Sequence, residues 1–206
     1  MRKGVAKEVV VQKASKFFVE NGLKSTMDEM SHFLKISKRT IYEQFEDKTD
    51  LLRECIIYMI GTFPPLPVLQ RNGTNEIDNI CQMLKSRIMP LFGKRRQFVS
   101  DVYRNYPDLF MEYMDPFIVK LGKAFDDCLK KGVRDGFVRT DIDIELCVRC
   151  MLRIAYTVNT LGDISTFHGK YTQEKIFRNT IYILFRGMFT EKGVQEFDET
   201  IKKYIE

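Results

Sequence analysis

Apolar side chains recur at spacings of three and four over most of this chain. Val10, Ala14, Phe17 and Phe18 form one such face, and Gly22 ends it as a C-terminal stop. The following "STMDEM" offers two capping boxes, Ser25 with Asp28 or Thr26 with Glu29. A second helix therefore starts there, with Met27, Met30 and Leu34 facing inward. It must be short, because Ser37 is another cap a few residues later. Asp47, with Asp50 three positions on, opens a fourth helix through "KTDLLRECIIYMIGTF". Residues 64–75, "PPLPVLQRNGTN", break the pattern with three prolines and a glycine. Further helices are predicted near 76–89, 94–105, 108–134, 143–161, 173–190 and 195–205. Pro90, Pro107, Gly132, Gly136 and the "GDISTFHG" loop separate them. Strand alternation is absent, so the pattern predicts an all-α protein.

The stretch Ser37–Phe45 has an unusual face. At 100° per residue, Ile41 and Phe45 fall on one side, where they pack against Leu34 and the first helix. Arg39 and Glu43 point the opposite way, with Thr40 and Tyr42 on the flanks. A short capped helix, a tight turn at Leu34–Ile36 and a second short helix make a helix-turn-helix. In that motif the second helix enters the DNA major groove. The side chains suit such a groove. Lys38 and Arg39 donate to guanine acceptors, and Thr40 meets a thymine methyl or a phosphate. Tyr42 offers its hydroxyl to a phosphate and its ring to sugar or thymine. Lys48 lies in the first turn of the next helix, where the dipole disfavours a cation. A phosphate bound at that helix start would compensate.

Composition narrows the classes. With 206 residues, 44% hydrophobic and 30% charged, the chain is globular and large enough for a proper core. No apolar run approaches the roughly 18 residues that a membrane span needs. "MRKGVAKEVVVQKAS" reads as the start of a helix rather than a signal peptide, so a cytoplasmic location is expected. The net charge is +5. The first 53 residues hold 11 Lys/Arg against 8 Asp/Glu, a surplus compatible with a nucleic-acid surface. Five cysteines (Cys55, Cys81, Cys128, Cys147, Cys150) follow no framework pattern, which implies reduced and mostly buried thiols. Cys147 and Cys150 form a C-x-x-C inside the helical "DIELCVRCMLRIAY", for which packing or redox sensing are the readings; further zinc ligands are wanting. His32 and His168 show no triad or ligand spacing, and no Gly-rich phosphate loop is present. Neither catalysis, a metal nor a cofactor is expected.

Residues 8–53 resemble the tetracycline-repressor (TetR) family of bacterial transcription regulators. The resemblance is carried by "KASKFFVENGLKST" and "MDEMSHFLKISKRTIYEQFEDKTDLL". Ala14, Phe18 and Gly22 match the family's small residue and aromatic ahead of a glycine. Ser25 and Thr26 match its Thr or Ser pair, and Ser37, the Thr40–Ile41–Tyr42 trio, Phe45, Lys48, Leu51 and Leu52 follow in order. The resemblance implies that Thr40 with Lys38, Arg39 and Glu43 faces bases. It also implies that Tyr42, Gln44, Lys48 and the Ser25 and Thr26 hydroxyls hold phosphates. Lys35 departs from the family, standing in the turn where glycine is usual, so a left-handed conformation there would be mildly strained. Glu43 puts a negative charge on the reading face, either to accept from a cytosine amino group or to exclude other bases.

The expected organisation is a helix-turn-helix DNA-binding domain over 1–53 and a larger helical domain over 54–206. "PLFGKRRQFVSDVYRNYPDLFMEYMDPFIVKLGKAF" is dense in aromatics and methionines, which fill a bundle core or line an apolar cavity. The resemblance implies such a cavity for a small effector, with Phe63, Phe98, Tyr103, Phe110, Tyr113, Met114, Phe117 and Tyr156 as lining candidates. "LCVRCMLRIAYTVNTL" and "EKIFRNTIYILFRGMF" are apolar around much of their circumference, which marks an association surface; Ile181 is taken as part of it. Family members dimerise through two C-terminal helices, and a homodimer would bind two half-sites of a palindromic operator at once. The function expected is a repressor released from double-stranded DNA by an apolar or amphipathic effector. Control by thiol oxidation or a protein partner is the alternative; a helical interaction module that binds no DNA is a further one.

Overall fold

The structure, a computed structural model, describes residues 6–63, 75–89, 95–160, 171, 175–176 and 178–205. The proline-containing 64–74 stretch and the 161–170 loop with His168 lie outside them. Among the described residues the regular structure is helical, apart from one isolated antiparallel bridge between Val138 and Phe189. They divide into two compact units, Met1–Phe63 with Gln97–Pro116, and Pro64–Arg96 with Phe117–Glu206.

The first unit begins with α1 (Lys7–Asn21), α2 (Met27–Leu34), α3 (Lys38–Tyr42) and α4 (Lys48–Gly61). The apolar positions read from the sequence form its core: Val10, Ala14, Phe17 and Phe18 of α1 are buried with Met30, Leu34, Ile41, Phe45, Leu51 and Leu52. Removing Ile41 and Phe45 from water contributes about 1.5–3 kcal/mol each, which anchors a helix of five residues that could not stand alone. Gly22 stops α1 at φ 77°, its N–H donating to the Phe18 carbonyl at 3.0 Å. Also in this unit are most of α6 (Arg95–Asn105), the single turn α7 (Pro107–Leu109) and a π-helical turn, Phe110–Met114. Residue 53, where a domain boundary was expected, lies inside α4.

The second unit contains α5 (Glu76–Met83), which continues as a π-helical turn over Leu84–Ile88. α8 (Asp115–Arg134) follows, then α9 (Ile144–Thr160), a π-helical turn Arg178–Tyr182 running into α10 (Ile183–Met188), and α11 (Glu191–Ile205). Phe125, Phe185, Phe189 and Phe197 cluster in its core as tilted rings, the touching pairs having centroids 5.1–6.1 Å apart. α11 packs along α5, tied by Tyr204 to Asp78 at 2.7 Å and by Asn75 to Glu196 at 2.7 Å. The last helix starts at Glu191 rather than near 195. Thr190 caps it through Gly193 N–H, and a Cβ on Gly193 would stand 2.0 Å from the Phe137 carbonyl oxygen. Glycine at this position lets the two backbones touch.

Ile181 is fully buried in this core, so it is not on an outward surface; Ile183, two positions on, is 57% exposed. On a helix apolar around most of its circumference, periodicity does not distinguish the two. Among the described residues no helix is long and apolar enough to cross a membrane.

Candidate nucleic-acid interface

The turn between α2 and α3 is built by caps. Of the two capping boxes open to the sequence, the Thr26–Glu29 one forms: the Glu29 N–H donates to Thr26 Oγ1 at 3.2 Å, and the Thr26 N–H to Glu29 Oε2 at 2.7 Å. The Thr26 N–H is the main reason that the Glu29 carboxyl is held below its ordinary value. Ser25 Oγ instead donates to the Gly22 carbonyl at 2.7 Å. Lys35 follows α2 at φ 57°, ψ 40°, the left-handed conformation expected of the turn, and is the one non-glycine residue with positive φ among the described residues. Ser37 then caps α3, accepting from Thr40 N–H at 3.0 Å while the two hydroxyls pair at 2.8 Å.

With Ile41 and Phe45 inward, α3 turns the predicted face outward. Arg39 is 88% exposed and Tyr42 49%, and Glu43 is exposed beside them. Arg39 Nε donates to Glu43 Oε1 at 2.9 Å. Lys38 is drawn sideways onto Asp28 of α2, 2.5 Å away. Thr40 and Gln44 are half-buried at the edges. A convex helix edge carrying a guanidinium, a phenol and a carboxylate has the donors and acceptors that groove edges require.

Lys48, in the first turn of α4, is half-buried. Its ammonium donates to the carbonyls of Leu23 at 2.5 Å and Ser25 at 2.6 Å, and it lies 6.0 Å from the centre of the Phe18 ring. Desolvation lowers its pKa, with the Glu29 charge opposing. The helix dipole that disfavours a cation here is thus offset by two carbonyls of the chain itself. The Leu23 peptide is gripped from its other side as well, its N–H donating to Asp101 of α6 at 3.3 Å. Asp101 is buried and also accepts from Gln97 at 2.7 Å. Asp28 reads in the sequence as a cap partner of Ser25 and is found paired with Lys38 instead, and Asp101 does not stand out at all. Asp101 is 78 residues from its partner, and no local pattern marks it.

The eight effector-lining candidates are not gathered into one unit. Phe63, Phe98, Tyr103, Phe110, Tyr113 and Met114 belong to the first, and Phe117 to the second. Phe98 and Phe110 are buried, and the exposed Tyr103 ring meets Phe110 edge-on at 5.2 Å. Phe117 lies under the Arg87 guanidinium at 5.3 Å. The Tyr156 side chain lies outside the described residues. Cys150 is exposed on α9 and Cys147 half-buried, and desolvation pushes the Cys147 thiol up. That is the opposite of the depressed pKa that makes a sensor thiolate.

No protein-family model matches the sequence, and no curated protein does. Solved structures do. A TetR transcription regulator from Haloarcula marismortui matches with a TM-score of 0.71 at 16% identity, over 89% of this chain and 98% of that one. The transcriptional regulator FadR from Bacillus subtilis, solved with stearoyl-CoA, matches at 0.65 and 15% identity, over 89% and 100%. The ketosteroid transcriptional regulator KstR2 of Mycobacterium tuberculosis matches at 0.65 and 17%, over 93% and 100%. The chain has the fold of the TetR-family regulators.

Proposed function

We propose that this protein is a DNA-binding transcriptional regulator. It acts as a homodimeric repressor that an apolar or amphipathic small molecule releases from a palindromic operator. One observation carries the reading: α3 is pinned by Ile41 and Phe45 and turns Arg39, Tyr42 and Glu43 outward after a capped α2 and a tight turn. The inward anchors fix which side chains this short helix turns to solvent. The effector class rests on the aromatic and methionine content of residues 91–125 and on the stearoyl-CoA complex of a protein with this fold.

The test is a mobility-shift titration on the DNA upstream of the protein's own coding sequence. Binding to one palindromic duplex, about 10³-fold or more tighter than to scrambled DNA, is the expected result. Equal binding to both, or none, would overturn the reading. The effector part is tested by adding amphipathic molecules, long-chain acyl-CoA first. A 5- to 150-fold loss of DNA affinity corresponds to a typical coupling of about 1–3 kcal/mol.

A further inference from the structure

The two ions on the outer face of α3 form a pair of their own. Arg39 Nε donates to Glu43 Oε1 at 2.9 Å, while the Glu43 N–H donates to the Arg39 carbonyl at 2.8 Å. One helical turn separates them, so the carboxylate stands directly beside the guanidinium. With 88% and 57% of their side chains exposed, the pair contributes little to folding. Its consequence is where it puts the guanidinium. The carboxylate takes the Nε edge and leaves the Nη1/Nη2 edge for an outside acceptor, the fork that matches guanine O6 and N7. Lys38, the neighbouring cation, is turned onto Asp28 instead.

We propose that Glu43 is a positioning and specificity-determining residue: it holds Arg39 end-on so that α3 reads one guanine in each half-site. This rests on the DNA-binding reading above. A long arginine held before binding loses less rotamer freedom on contact, so the pair sharpens recognition of that base. The carboxylate also repels phosphates, so the pair suppresses binding elsewhere.

The experiment is selection from a randomised duplex library with the full chain, followed by titration of the enriched site and of a random duplex at fixed salt. The wild type should enrich a palindrome with one dominant G·C pair per half-site. Arg39→Ala should lose preference at that pair alone. Glu43→Ala should relax the same pair by about 5- to 10-fold, a part of the discrimination that a bidentate contact provides. Its affinity for random DNA should be unchanged or higher. Removing Glu43 in the Arg39→Ala background should cost no further preference there, because Glu43 acts through Arg39. Glu43→Gln keeps an acceptor for Nε and should retain most of the preference. The proposal is overturned if Glu43→Ala keeps full preference at the Arg39 pair, or changes a different pair additively with Arg39→Ala. A wild type that enriches no sequence overturns the DNA-binding reading itself, which is a separate result.

Discussion

Lys48 holds the Leu23 and Ser25 carbonyls, and that placement changes what its removal should do. A charged donor serving two backbone acceptors is worth about 1.5–3 kcal/mol when lost. Lys48→Ala should lower the denaturation free energy by about 1–3 kcal/mol and weaken operator and random DNA alike, through a loosened α1–α2 connection. Lys48→Met, which keeps the stem beside Phe18, should be destabilised less. Urea melts of both variants check this; no change in the Lys48→Ala midpoint would refute the tie. Tyr204 supplies a pH-dependent counterpart. Burial, and then its bond to Asp78, push its hydroxyl up to about 12. The folded state therefore keeps a proton that the unfolded state releases near 10. The stabilisation is complete below about pH 10 and lost as pH rises toward 12. Between those values the wild-type melting temperature should fall more steeply than that of Tyr204→Phe; parallel profiles would dismiss the linkage.

The helix-turn-helix element is assembled from local bonds. Thr26 with Glu29, Ser37 with Thr40, and Asp47 with Asp50 each close within three residues and start α2, α3 and α4. Between α2 and α3 stands Lys35 at φ 57°. A side chain in the left-handed region costs about 1–2 kcal/mol, of which glycine's extra chain entropy returns roughly 0.5–1. Lys35→Gly should therefore stabilise the protein by about 0.5–1 kcal/mol and leave the reading face in place. Thermal denaturation decides the sign, and a lower melting temperature would mean that the lysine side chain contributes to the turn.

At the scale of the molecule, Ile183 and Leu146 remain open to water, 57% and 58% exposed, on α10 and α9. A homodimer covering them should sediment at about twice the 24.3 kDa chain mass. Ile183→Glu should yield folded monomers with much weaker operator binding, since two half-sites are no longer held together. Ile181→Glu should instead fail to fold, because it buries a charge in the apolar core that also holds Phe185 and Phe197. A wild-type monomer, or an Ile183→Glu dimer of unchanged strength, would place the association surface elsewhere.

The periodicity of apolar residues and the caps determined the all-helical class, the place of most helices and the helix-turn-helix. Those features rest on contacts between residues one turn apart, and such contacts are written in the order of the residues themselves. Ser25 and Thr26 were equivalent as caps until the Ser25 hydroxyl turned to the Gly22 carbonyl. Lys48 was a free cation at a helix start until folding brought Leu23 and Ser25 beneath it. Asp101 acquired a role only by meeting Leu23 across 78 residues. Ile181 was assigned to the association surface and is buried instead, because periodicity does not separate faces on a helix apolar on several sides. The aromatics of residues 98–117 likewise read as one run yet divide between two units. These features were decided by tertiary structure, because long-range partners are selected by which surfaces pack together, and packing leaves no spacing to read along the chain.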